Sequence, residues 1–145
     1  MKILRTPDEC FDNLEDYPFE PNYIDIEHND QTLRMHYLDE NSESEEIVLL
    51  MHGEPTWSYL YRKIIPILVS NGKRVIAPDL IGFGKSDKPS SREDYSYANH
   101  IMWVETLIKK LDLKNIIFFA QDWGGLIGLR SVSYTHLTLP TTLTV

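Results

Sequence analysis

Along the 145-residue chain the spacing of hydrophobic and polar positions changes several times, and each change marks an element. Residues 1–21 place Pro7, Pro18 and Pro21 among acidic and aromatic residues, which predicts an irregular arm lying over the domain. Residues 23–27 (Tyr-Ile-Asp-Ile-Glu) and 32–37 (Thr-Leu-Arg-Met-His-Tyr) alternate around the turn formers Asn29 and Asp30. That alternation predicts a β-hairpin with one wet face. Residues 39–46, including Glu40, Glu43, Glu45 and Glu46, read as a charged, solvated loop. The run 47–51, Ile-Val-Leu-Leu-Met, is then apolar at every position, as a strand covered on both faces requires. Helical spacing follows over 59–69 through Leu60, Ile64, Ile65 and Leu68, with Pro66 expected to kink this helix or split off its last turn. Asn71 and Gly72 are its stop signals. A second strand is expected at 73–77, and an amphipathic helix at 97–111 with Tyr97, Ile101, Val104, Leu107, Ile108 and Leu111 on one stripe. A third strand, again buried on both faces, is expected at 116–120 (Ile-Ile-Phe-Phe-Ala). Strands alternating with helices after an opening hairpin predict an α/β fold with a mostly parallel sheet.

The most informative change of period comes just after that third strand. Ala120-Gln121-Asp122-Trp123-Gly124 has the form small-x-nucleophile-x-small, followed by Gly125 and Gly128 with Leu126, Ile127 and Leu129 between and around them. A strand that turns abruptly into a helix leaves little room beside the residue at the tip, which it holds exposed above the sheet. An aspartate in that position is ionised at neutral pH, its reference pKa being about 3.9, and needs no base to attack. Its target would be a saturated carbon bearing a leaving group, or an epoxide, and the product an alkyl ester that water must cleave. The competing reading is that Asp122 caps the following helix, where acids are common.

Composition narrows the setting. With 42% hydrophobic and 25% charged residues this is an ordinary globular chain, one domain or part of one. A net charge of -8 without a basic patch argues against nucleic acid as a partner. The single cysteine, Cys10, excludes an internal disulfide and suits a reducing compartment. No apolar run has the length of a membrane span and residues 1–11 lack a signal-peptide core, so the cytoplasm is expected and no membrane partner. Gly84-Lys85-Ser86 after a strand invites a phosphate-binding-loop reading, but the motif's first glycine would have to stand where Asp79 is. These glycines are expected instead to shape a tight loop. His52-Gly53-Glu54-Pro55 follows the first buried strand. His52 taken alone reads as a satisfied turn histidine, yet loops at the C-terminal ends of parallel strands line the ligand crevice. This loop should therefore converge on Asp122, with its backbone N–H groups toward a developing oxyanion.

Taken together, the loops 52–55, 79–86 and 121–125 resemble the α/β-hydrolase superfamily, and their wording is similar to that of the haloalkane dehalogenase family. The resemblance runs from about Arg5 to Arg130 and includes the arm and the run 54–62. It implies an α/β-hydrolase fold, incomplete here, with the N-terminal part of the sheet up to the nucleophile elbow and no cap domain. It implies Asp122 as the nucleophile that displaces halide, and Trp123 as the donor of an indole N–H to the departing ion. The backbone N–H groups of Glu54 and Trp123 would form the oxyanion hole. Glu54 stands where one branch of the family has Asn as second halide ligand, so this chain resembles the branch that takes that ligand, a Trp, from the cap. A large, weakly basic halide suits an N–H donor on an apolar ring, although an aromatic packed over the elbow is the simpler account of Trp123. The implied partners are a small halogenated hydrocarbon and water, with no cofactor and no metal, in a monomeric parent. An epoxide hydrolase shares the Asp nucleophile but activates the ring oxygen with cap tyrosines, and Glu54 and Trp123 argue against it. A non-catalytic ligand-binding protein on the same fold is the remaining alternative.

The resemblance ends at Arg130. Residues 131–145, Ser-Val-Ser-Tyr-Thr-His-Leu-Thr-Leu-Pro-Thr-Thr-Leu-Thr-Val, turn to a Thr-rich run that fits no continuation of the superfamily and resembles a translated sequencing adapter. Residues 1–130 are therefore expected to be the N-terminal part of the hydrolase core and 131–145 a non-native tail. His136 in that tail is not expected to be the catalytic base, which in the family follows a cap and an orienting acid.

Overall fold

In a computed structural model the structure describes residues 2–133. Seven strands are found there: β1 (Ile3–Leu4), β2 (Asn22–His28), β3 (Gln31–Glu40), β4 (Ile47–Met51), β5 (Arg74–Pro78), β6 (Lys88–Pro89) and β7 (Ile117–Ala120). Three α-helices accompany them: α1 (Ile65–Ser70), α2 (Tyr97–Lys110) and α3 (Trp123–Ser133). The main sheet has the order β2-β3-β5-β4-β7, antiparallel from β2 to β5 and parallel from β5 through β4 to β7. The hairpin turns on Asn29 and Asp30 at φ 47° and 57°, left-handed conformations that Asn and Asp tolerate and that match the twist of paired strands.

Strand β4 explains why its sequence is apolar throughout. Leu49 and Met51 face a layer that includes Ile76 of β5, Val104 and Ile108 of α2, and Ile127 and Val132 of α3. Val48 and Leu50 face the other way, onto Val75, Ala77, Tyr61, Ile65 of α1 and Tyr17 of the arm. With both faces covered, alternation disappears.

Strand β7 departs from the expectation of burial on both faces. It pairs with β4 in the register Val48–Ile117 through Met51–Ala120, and it is the outermost strand of the sheet among the described residues. Phe118 and Ala120 pack toward α2 and α3, whereas Ile117 and Phe119 are each 50% exposed. The physical reason is coverage: α1 and the arm reach across β4 and β5, and Tyr61 touches Phe119 only at its ring edge, with centroids 6.1 Å apart.

Two smaller expectations are also revised. The helix anticipated at 59–69 is a 3-10 turn, Ser58–Tyr61, followed by α1, and Pro66 lies in the first turn of α1. There its missing N–H is one that no helical carbonyl would have accepted, so the proline starts a helix rather than bending one. The arm is tied down at several points: β1 pairs with β6, and Arg5 makes a two-pronged ion pair with buried Asp87 at 2.7 and 2.9 Å.

The glycine-rich loop after β5 closes on an acid instead of a phosphate. Buried Asp79 accepts hydrogen bonds from Ser58 N (2.7 Å), Lys85 N (2.8 Å) and His36 Nδ1 (2.8 Å). Gly84, at φ +48°, packs so close to the Asp79 carboxylate that a Cβ there would collide with it. Burial alone would raise the Asp79 pKa, but the His36 contact and the two backbone donors outweigh it and hold the acid below the usual carboxylate range. Helix α3 runs to Ser133, with Ser131 and Val132 buried. The rest of the expected tail, including His136, lies outside the described residues.

Candidate active site

Between β7 and α3 the chain reverses within two residues, and Asp122 at the tip takes φ +51°. Aspartate tolerates that left-handed region, as at Asp30, though less freely than glycine, and its surroundings hold it there. Here backbone does the enforcing: Gln121 N donates to Met51 O at 3.2 Å, and Gly124 packs directly on the carbonyls of Met51 and His52. Any Cβ on Gly124 would meet those oxygens, and one on Gly128 would enter the Phe118 ring. Gly125 has open space beside it, so crowding at the elbow accounts for two of the three glycines after Asp122.

The loop after β4 supplies the other half of the site. Glu54 N donates to Asp122 Oδ2 at 2.9 Å. Gly53 sits so near that a Cβ there would lie 2.5 Å from both Asp122 Cβ and Oδ2. A helix-capping side chain bonds to an N–H two or three residues ahead; this carboxylate reaches a donor on another loop. The hydrogen bonds from Trp123 N and Glu54 N hold the Asp122 carboxyl below the usual carboxylate value, so it is fully ionised at neutral pH. Two backbone donors that converge on the Asp122 carboxylate form a pair that could also stabilise an oxyanion beside it.

His52 holds the loops together. It is buried, its Nδ1 donates to Gly53 O at 2.9 Å, and its Nε2 accepts from Leu80 N at 2.9 Å. Burial lowers its pKa, which matches the neutral form that this bonding pattern needs. Its role is that of a turn histidine linking the loop after β4 to the loop after β5. The three loops singled out from the sequence thus meet at Asp122.

Beside the elbow lies a cavity of about 200 Å³ walled by Glu54, Leu80, Phe83, Trp123 and Ile127 on one side and by Tyr95, Ser96, Tyr97 and His100 on the other. Trp123 is 46% exposed at its mouth, with Tyr97 6.5 Å away ring to ring. Tyr97, assigned to the core stripe of α2 from spacing, is instead exposed at the helix start, where its hydroxyl donates to Leu126 O at 2.9 Å. The α2 wall was not anticipated. Its available signal was the aromatic cluster Tyr95, Tyr97 and His100 around a Ser96 cap, which is more than a solvated helix start needs. Among the described residues no three His, Cys, Asp or Glu side chains come together as a metal site, and no helix is long and apolar enough to cross a membrane.

Comparison with known proteins gives a consistent outcome. The model of the alpha/beta hydrolase fold family matches residues 46–135. The chain is 60% identical over 134 residues to a haloalkane dehalogenase of Psychrobacter cryohalolentis, covering 92% of this chain and 44% of that protein. It is 57% identical over 131 residues to one of Mycolicibacterium paratuberculosis, covering 90% and 44% respectively. Among solved structures it matches a tetrameric haloalkane dehalogenase from Paraglaciecola agarilytica with a TM-score of 0.84 at 51% identity, covering 89% of this chain and 44% of that one. An epoxide hydrolase from Vigna radiata is more distant, at 30% identity and a TM-score of 0.67, covering 79% of this chain and 35% of that one. The chain therefore spans under half the length of the relatives it matches, and the tetrameric neighbour does not fit the expectation of a monomer.

Proposed function

Because the chain belongs to the alpha/beta hydrolase fold family, we propose that the whole protein is a hydrolytic haloalkane dehalogenase with Asp122 as its nucleophile. The observation that carries this reading is the ionised Asp122 carboxylate, held at the tip of a tight elbow by the Glu54 N–H at 2.9 Å. In the first step the free oxygen of Asp122 attacks the halogen-bearing carbon, the carbon–halogen bond breaks, and halide leaves with the bonding pair. The Trp123 indole N–H is the donor for that halide. In the second step water attacks the ester carbonyl carbon, and the charge that develops on oxygen falls to the N–H groups of Glu54 and Trp123. Collapse returns the Asp122 carboxylate and releases a primary alcohol. The base and its orienting acid belong, by resemblance, to a segment beyond the described residues, as does a second halide donor from the cap.

No cofactor enters this scheme, since the nucleophile, the halide donor and the oxyanion donors are all side chains or backbone of the chain. The reactants are a small halogenated hydrocarbon and water, and the proposed setting is the cytoplasm. Epoxide opening would use the same aspartate, but the similarity to dehalogenases is higher than that to epoxide hydrolases, 60% against 30% identity. The test is covalent trapping: incubate the chain with 1-bromobutane, digest it, and locate the butyl adduct by peptide mass. Labelling of Asp122 that disappears in Asp122→Asn is the expected result; a label elsewhere, or none, removes the nucleophile assignment.

A further inference from the structure

We propose that the cavity between the starts of α2 and α3 is a substrate subsite for a hydrogen-bond acceptor at the far end of a haloalkane, with the His100 Nε2–H as its donor. This rests on the dehalogenase reading for its substrate class but not for its geometry. The cavity of about 200 Å³ shares Glu54 and Trp123 with the nucleophile site, so a chain reaching Asp122 can lay its other end along the α2 wall. That wall is mostly apolar, and His100 is its unusual member. The Nδ1 of His100 is sealed from solvent and has no hydrogen-bond partner among the described residues. The one polar atom the ring can offer the cavity is therefore Nε2. Burial, with a smaller effect of His52, lowers the His100 pKa to about 4, so one proton is shared between the two nitrogens at neutral pH. An N–H buried without an acceptor is rarer in folded proteins than an unpaired acceptor, which favours the proton on Nε2. The ring is also fixed in place, edge-on to Trp103 at 4.9 Å and beside Tyr95 at 6.1 Å. A fixed neutral donor in an apolar wall binds a neutral acceptor such as a nitrile or an ether oxygen, whose partner it supplies without ordering a flexible side chain.

The test uses the 145-residue chain and two probes without halogen, butyronitrile and pentane, so that it reads the subsite independently of any reaction at Asp122. Imidazole resonances of His100 are followed by 15N NMR. Butyronitrile is expected to shift the His100 Nε2 signal saturably, and to bind at least about 5-fold more tightly than pentane, a difference of about 1 kcal/mol for one hydrogen bond. His100→Gln, which keeps an N–H donor, should retain the preference. His100→Phe, which keeps the ring packing on Trp103, should lose it while pentane binding stays. Equal binding of both probes to the unmodified chain, a proton found on Nδ1, or a preference that survives His100→Phe overturns the subsite. Failure of the dehalogenase reading appears separately, as no adduct on Asp122 with 1-bromobutane even where the nitrile binds His100.

Discussion

At the scale of single residues, a few short contacts decide whether Asp122 is a reagent or merely an acid in a turn. Gly53 is the sharpest probe of this. A methyl group at that position would sit 2.5 Å from Asp122 Cβ and Oδ2, so Gly53→Ala must push the carboxylate off the Glu54 N–H. We expect at least about a 10-fold slower alkylation by 1-bromobutane, because the displaced carboxylate no longer stands in position for attack. Circular dichroism should be unchanged; an unaltered labelling rate would show that this loop does not position the carboxylate. Trp123→Phe deletes the indole N–H and keeps most of the apolar volume; a hydrogen bond to developing halide charge being worth about 1.5–3 kcal/mol, it should slow ester formation about 10- to 100-fold. An unchanged rate would return Trp123 to packing. The acid dependence has a definite sign. The reactive form is the carboxylate, and its donors place its pKa below the ordinary value of 3.8, so labelling should be flat from pH 7 down to pH 5. A rate that has halved by pH 5 would mean that the Trp123 and Glu54 donors do not hold the ionised form.

At the scale of elements, the elbow is only as rigid as the loops stacked against it, and Asp79 ties two of them together. Its oxygens take the N–H groups of Ser58 and Lys85 and the Nδ1 of His36, which links β3, the loop after β4 and the loop after β5. Asp79→Ala would leave all three donors buried and unpaired. A buried donor left without its acceptor costs about 1–3 kcal/mol, so with three of them urea unfolding at pH 7 should show a loss of at least about 3 kcal/mol. Because the folded-state pKa of Asp79 is lowered, its contribution is present above the ordinary 3.8 and is lost as pH falls through the folded value. The gap between parent and Asp79→Ala should therefore close below about pH 4, and a gap that widens with acid would contradict the assignment.

What the sequence revealed follows the same division between local and non-local causes. The hairpin, β4, β5 and α2 were legible because both the spacing of apolar residues and the turn chemistry are local: Asn29-Asp30 fixes its turn whatever surrounds it. The convergence of the loops 52–55, 79–86 and 121–125 was legible because parallel strands bring their C-terminal ends together. The exposed face of β7 was not, since Ile117 and Phe119 look like core residues until it is known that α1 stops short of them. Nor was the His36–Asp79 contact, which joins residues 43 positions apart with nothing periodic between them. The cavity wall at Tyr95, Tyr97 and His100 was hidden for another reason: aromatic residues at helical spacing read as core, and only coordinates separate a packed ring from one that borders a cavity.

At the scale of the whole molecule, the described residues assemble the proposed nucleophile, Asp122, without a group suited to regenerate it. Each described histidine near the sheet is committed or too weakly basic. His36 bonds to Asp79, and both nitrogens of His52 are taken by Gly53 O and Leu80 N. His28 contacts the Asn29 side chain, and burial leaves His100 with a pKa of about 4. A base must take a proton from water as the ester is attacked, and a group with so low a pKa drives that transfer poorly at neutral pH. The chain is therefore expected to be alkylated once at Asp122 and then to stop, releasing no more than one halide per molecule from excess 1,2-dibromoethane. The exposed edge of β7 bears on how this is measured. Ile117 and Phe119 stand uncharged on an outer strand, a pattern that promotes pairing between chains. Ile117→Lys should raise the soluble yield without altering the stoichiometry, since β7 meets β4 through backbone and Ile117 lies at the end away from Asp122. Halide is counted against soluble protein for the parent, for Ile117→Lys and for His136→Ala. A plateau at one halide in all three supports the account. Continued release by the parent that is lost in His136→Ala would make His136 the base, and continued release by all three would show that a described histidine turns the ester over after all.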